Sequence, residues 1–419
     1  MSALVSSPAP TAAPWTCPFC PLLCDRFSVE VGTGGWALTG SECPRARSGL
    51  SRFGVSPAPA SSTIDGLACD AEAAIAAAAR VLAASRQPLF GGLGTDVAGA
   101  RALYTLACRT GAICDAAGGA ALFHGLRALQ DRGGFTTTLA EVRTRADLIV
   151  CLGSMPSERH PEFLRRCGIG EGGAARVVLL QSRAASVDPA DEGVETVRFD
   201  GDLFDAMAML AACVAGRTVG DAAGALGALA ARLRSARYAV LAYETARLPA
   251  QGALIVEAIH RIVSTLNQRT RAAALPLGGG DGASTVNAVF TWLSGLPLRT
   301  RAAPPGLEHE PLRFDASRLL VDRAVDTLLW IASFGTEPPP PTVDLPRIVL
   351  GHPDFAAVVQ GPATVFIPVS TPGIGSAGHV FRTDGSVLMP LRALRDDDGL
   401  PTVADVLKRL TQALQGASA

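Results

Sequence analysis

Four cysteines are the residues of this sequence whose type and spacing most directly suggest chemistry: Cys17-x2-Cys20-x3-Cys24, with Cys43 following after eighteen intervening residues. Three thiolates within eight residues can wrap one face of a four-iron cubane cluster while a later cysteine closes it. Tetrahedral zinc could use the same sulfurs, although zinc sites more often come as two Cys-x2-Cys pairs, and only one such pair is present. A site whose thiols persist without metal is the third reading. Elsewhere the signals are thinner. Gly91-Gly-Leu-Gly94 follows a strand-like segment and could cradle a phosphate, but it lacks the full dinucleotide fingerprint. A turn that needs glycine geometry is the better reading. Pro276-Leu-Gly-Gly-Gly-Asp-Gly282 is a second glycine-rich loop of common composition. His124 and His160-Pro161 stand without acidic or cysteine companions, and Glu308-His-Glu310 reads better as a solvated loop than as a chelate. No Ser-His-Asp order, His-x-x-x-His pair or paired carboxylates stand out.

The elements that would position these residues follow from the apolar pattern. Helices are expected over 71–84, 98–110 and 253–266, and buried strands over 88–90, 148–152, 177–180, 238–242, 327–331, 347–350 and 364–369. Unbroken apolar runs alternating with helices are the mark of parallel strands in a doubly wound sheet. The fold class expected is α/β: two Rossmann-like lobes behind a small N-terminal cysteine-bearing domain. Residues 56–62 read as a linker, and Pro338–Pro341 as a rigid break. The division expected is 1–55 for the cysteine domain, 56–145 with 346–419 for the first lobe, and 146–345 for the second.

The 419 residues carry a net charge of −1, with 48% hydrophobic and 18% charged side chains. That balance gives no reason to propose nucleic acid or an anionic membrane as partner. No stretch has the roughly 18 unbroken apolar residues of a membrane helix, and residues 1–14 lack the basic and apolar regions of a signal peptide. A cytoplasmic chain is expected, in which ten cysteines favour metal ligation or buried thiols over disulfides. The high apolar share suits an extensive subunit interface or a large buried sheet.

Several segments match one known pattern: Thr16-Cys-Pro-Phe-Cys-Pro-Leu-Leu-Cys-Asp25, Ala128-Leu-Gln-Asp131, Glu141-Val-Arg-Thr-Arg-Ala-Asp147, Gly153-Ser154 with His160-Pro161, Asn287-x4-Trp292, and Thr371-Pro-Gly-Ile374 with Phe381-Arg-Thr-Asp-Gly385. As a set they resemble the B subunit of formylmethanofuran dehydrogenase, within the molybdopterin and tungstopterin oxidoreductases. In that family a cysteine just before a histidine ligates tungsten or molybdenum. Here Phe123 stands before His124, and a phenyl ring has no lone pair to give a metal. The family's active-site arginine falls in the loop that here reads Pro276-Leu-Gly278, and the Gly-Ser-Asn of its pterin turn has become Gly153-Ser154-Met155.

The resemblance therefore implies a chain with no catalytic residues of its own and no tungsten or molybdenum pterin. Its metal ligands would be Cys17, Cys20, Cys24 and Cys43, holding one four-iron four-sulfur cluster or none. It is most similar to the degenerate B subunit of the bacterial formyltransferase/hydrolase complex. The implied role is a non-redox structural subunit in tetrahydromethanopterin- and methanofuran-linked one-carbon metabolism. Implied partners are a formyltransferase subunit, a further scaffold subunit, and a zinc amidohydrolase-like A subunit. The alternative is an active formylmethanofuran dehydrogenase subunit with a pterin-bound metal.

Overall fold

Strands made almost wholly of apolar residues have to lie in sheets covered on both faces. The computed structural model places them there. It describes residues 13–32, 35–54, 60–185, 192–278 and 282–416. Most of the linker expected over 56–62 and the centre of the loop over 276–282 lie outside the described residues. The α/β class read from the sequence holds, in two compact units.

The first unit comprises Met1–Ala117, Asp281–Val380 and Met389–Ala419. Its centre is a seven-stranded sheet in the order Leu67–Cys69, Ser62–Ile64, Thr364–Pro368, Arg347–Gly351, Thr327–Ala332, Pro88–Gly94, Ile113–Cys114. The last five of these run parallel, and the first two form an antiparallel hairpin on the edge. All seven residues of Pro88–Gly94 are buried. Its glycines are strand residues, not a phosphate loop. Gly92 has φ +72°, a Cβ there would stand 2.6 Å from Ile331 O, and the pairing with Thr327–Ala332 slips register at that point. This is a β-bulge that only glycine can make. Helix Val97–Thr110 follows, capped by the Asp96 carboxylate on Gly99 N at 2.9 Å and closed by Gly111 at φ +65°. The N-terminal cysteines sit among a three-stranded antiparallel sheet (Ala13–Trp15, Phe27–Gly32, Gly35–Thr39) and helix Pro44–Ser51.

The second unit, Gly118–Gly280 with Phe381–Leu388, holds a wholly parallel five-stranded sheet. Its order is Val194–Phe199, Arg176–Ser182, Leu148–Leu152, Tyr238–Glu244, Arg271–Leu277. Helices Leu203–Val214, Gly224–Ser235 and Gly252–Leu266 bury one apolar face each against it, in a core that includes Val150, Val178, Leu210, Leu241 and Ile259. Chain order reverses between Leu148–Leu152 and Tyr238–Glu244. Ligands of open α/β sheets enter at such a reversal, beyond the C-terminal ends of the strands.

The unit boundaries depart from those drawn on the sequence. Thr327–Ala332, expected in the second lobe, pairs with both Pro88–Gly94 and Arg347–Gly351 and so lies inside the first sheet. Helices Gly119–Arg132 and Leu139–Arg145, expected in the first lobe, belong to the second unit. Backbone ladders between distant strands set these boundaries, and local composition carries no trace of which strand will be a neighbour.

One buried ion network fixes the edge of the first sheet. Arg299, at φ +60°, donates through Nε to Asp115 Oδ1 at 3.1 Å and through Nη2 to Asp315 at 2.5 Å, and its Nη1 reaches Pro311 O at 2.6 Å. The Arg299 and Asp115 side chains are 4% and 2% exposed. Asp115 also accepts from Ala316 N at 2.9 Å, and burial nevertheless pushes its carboxyl above the usual range against the pull of Arg299. Arg299→Leu leaves that carboxylate buried without its cation and is expected to cost about 3–5 kcal/mol of unfolding free energy. Arg237→Ala, at an 87% exposed side chain paired to Asp147, should cost at most about 1 kcal/mol. Urea unfolding of the two variants checks the contrast, and equal losses would mean the network is not what holds this edge.

Candidate functional site

The cysteine segment is built by a tight wrap. Cys17 N donates to Cys24 O at 2.9 Å, and Leu23 N to Cys20 O at 3.1 Å, with Leu23 at φ +43°. Cys43 is the N-cap of helix Pro44–Ser51, its own N–H held by Ser41 Oγ at 3.0 Å. All four thiols are buried, and none is in a disulfide. They share one neighbourhood: the Cys17 thiol is pushed well above its ordinary value, first by burial and then by Cys20, Cys24 and Cys43. As donors, buried thiols free of disulfides suit a soft metal or an iron–sulfur cluster. Among the described residues, however, no three His, Cys, Asp or Glu side chains stand in an arrangement that could hold one metal ion. Trp15 anchors the segment, its Nε1 donating to Gly373 O at 2.8 Å. Phe19 packs edge-on to Trp15 and stacks toward Phe53, which meets the His352 ring edge-on at 4.8 Å between centroids.

At the switch point of the second unit the polar residues face one another. Ser154, in the turn that follows Leu148–Leu152, donates to Glu244 Oε1 at 2.9 Å, and Glu244 is the last residue of Tyr238–Glu244. Glu244 Oε2 lies 3.6 Å from His160 Nε2 and 3.9 Å from Arg159 Nη1. The Glu244 side chain is 1% exposed. Burial raises its pKa, against the lowering effects of Ser154, Arg159 and Arg247. Met155, beside Ser154, is buried. His160 thus gains a carboxylate companion that the sequence did not suggest. Glu244 was legible in principle, as a charged residue ending an otherwise apolar strand.

Phe123, His124 and Gly278, the positions singled out in the sequence, each pack against neighbouring side chains or backbone. Phe123 is buried on helix Gly119–Arg132, and His124 lies against the first turn of Gly252–Leu266, where a Cβ on Gly252 would stand 2.5 Å from the imidazole. Gly278 N donates to the Thr383 hydroxyl at 3.2 Å, and that hydroxyl donates to Pro276 O at 3.1 Å. A Cβ on Gly278 would stand 2.5 Å from Thr245 Oγ1. A side chain at this position would require the Thr245 hydroxyl to turn away. Arg382, next to Thr383, has its guanidinium committed to Asp384, with Nε at 2.9 Å. Neither the Phe123 ring nor Gly278 offers a lone pair or a charge to a pterin-bound tungsten or molybdenum. Glu308-His-Glu310 gathers no metal set either. Glu308 pairs with Arg301, and His309 Nδ1 is within 2.9 Å of Thr300 Oγ1.

Fold and site together define an α/β protein of the formylmethanofuran dehydrogenase B type, with its switch point closed by its own side chains. No protein-family model matches the chain. It is 30% identical over 359 residues to the Fhc B subunit of the formyltransferase/hydrolase complex of Methylorubrum extorquens, covering 84% of this chain and 97% of that protein, and it belongs to that family. The B subunit of the tungsten-containing formylmethanofuran dehydrogenase 2 is 24% identical over 95% of this chain in Methanocaldococcus jannaschii, and 25% over 94% in Methanococcus maripaludis. Coverage of those two proteins is 97% and 96%. Among solved structures, the M. extorquens FhcABCD complex with methylofuran contains a chain that matches with TM-score 0.74 and 28% identity, over 85% of this chain and 99% of that one. No helix among the described residues is long and apolar enough to cross a membrane.

Two outcomes are expected. Gly278→Ala should cost about 1–3 kcal/mol by overpacking, and Thr245→Ala should recover part of that loss in the double variant. Additive losses in that cycle would separate the two positions. For Glu244 the folded-state pKa is raised, so its contribution to stability is fully present below the ordinary glutamate range and is lost as pH rises through the folded value. Glu244→Gln should therefore gain on the wild type as pH climbs from about 4 to neutrality, measured by unfolding at each pH. A flat difference would show that burial does not perturb the carboxyl.

Proposed function

We propose that this chain is the non-redox structural B subunit of a formyltransferase/hydrolase complex. Such a complex moves a formyl group from tetrahydromethanopterin to a methanofuran-type carrier and hydrolyses it to formate. In this reading the chemistry belongs to two other subunits, a formyltransferase and a zinc amidohydrolase-like A subunit, with a further scaffold subunit, in the cytoplasm. What supports the reading is the likeness to the Fhc B subunit along 97% of that protein. Phe123 and Gly278 add to it, as residues with no side-chain donor for a metal or an oxyanion.

For the cysteines, which are not gathered around a metal position in this structure, the reading is that Cys17, Cys20, Cys24 and Cys43 hold one four-iron cluster or none, and that a cluster, where held, staples the N-terminal segment. A region of about 55 residues has a small core of its own and gains most from a covalent or metal staple. With no redox centre in the second unit to serve, the cluster would supply cross-linking by four thiolates and nothing else.

The test is metal analysis of the complex purified anaerobically. No stoichiometric tungsten or molybdenum is the expected composition, and either metal at stoichiometry would sink the non-redox reading; iron near four per chain would mark the cysteine site as filled, and no iron or zinc as empty. Cys24→Ser should lower the melting temperature and the yield of assembled complex while hydrolysis of formyl carrier by complex that does assemble stays unchanged. Wild-type stability in that variant, with neither iron nor zinc in either preparation, would mark the thiols as a relic.

A further inference from the structure

We draw no further inference here: the strongest candidate, the pair of buried acceptor oxygens Gln181 Oε1 and Glu244 Oε2 at the C-terminal ends of Arg176–Ser182 and Tyr238–Glu244, neither with a hydrogen-bond donor, belongs to the switch-point site already described.

Discussion

A parallel ladder buried on both faces leaves a strand no place for polar side chains except its ends. Within Leu148–Leu152, Tyr238–Glu244 and Pro88–Gly94 every residue is buried, and every backbone N–H and C=O must find its partner on a neighbouring strand. That requirement decides which strands are neighbours, draws Thr327–Ala332 into the first sheet, and pushes the chemistry of the second unit to one line. Ser154, Glu244 and Gly278 all stand just at or past the C-terminal ends of their strands.

On that line the polar groups are satisfied only in part: Glu244 Oε1 accepts from Ser154, while Glu244 Oε2 and His160 Nδ1 are buried without a hydrogen bond. A carboxylate as buried as Glu244 is stabilised only by donors close by, and Ser154, Arg159 and His160 surround it. Two glycines nearby allow close approach: His124 settles on Gly252, and Thr245 on Gly278. Helix Gly119–Arg132 shows the division plainly. Ala128 packs into the core of the unit and Phe123 is buried, whereas Leu122 and Leu126 are half-buried and Leu129 is exposed.

The N-terminal segment obeys a different constraint. Its order comes from its own buried residues, among them Leu22, Phe27 and Leu50, from the Trp15 hydrogen bond to Gly373, and from the aromatic contacts Trp15–Phe19–Phe53–His352. Four buried thiols sit beside that aromatic series. Their burial raises the cost of a thiolate, which a bound metal would offset by drawing the proton off.

The sequence by itself determined the α/β class, the strands over 148–152, 238–242 and 364–369, the cysteine spacing, and that Phe123 and Gly278 bring no donor side chain. Those are readable because apolar runs, turn residues and missing donor atoms are local properties. It did not yield Val194–Phe199, whose polar alternation hides an edge strand, or Arg271–Leu277, an alanine-rich strand that reads equally well as helix. Nor did it show that Glu244 meets Ser154 and His160, that Thr245 closes the space at Gly278, or that Arg299 joins Asp115 to Asp315. Each of these joins residues from about 30 to more than 180 positions apart, except Arg299 with Asp315, which are 16 apart. Only tertiary structure could decide them, because which strands become neighbours is settled by the summed burial of both sheets, while each side chain carries information about its own backbone alone.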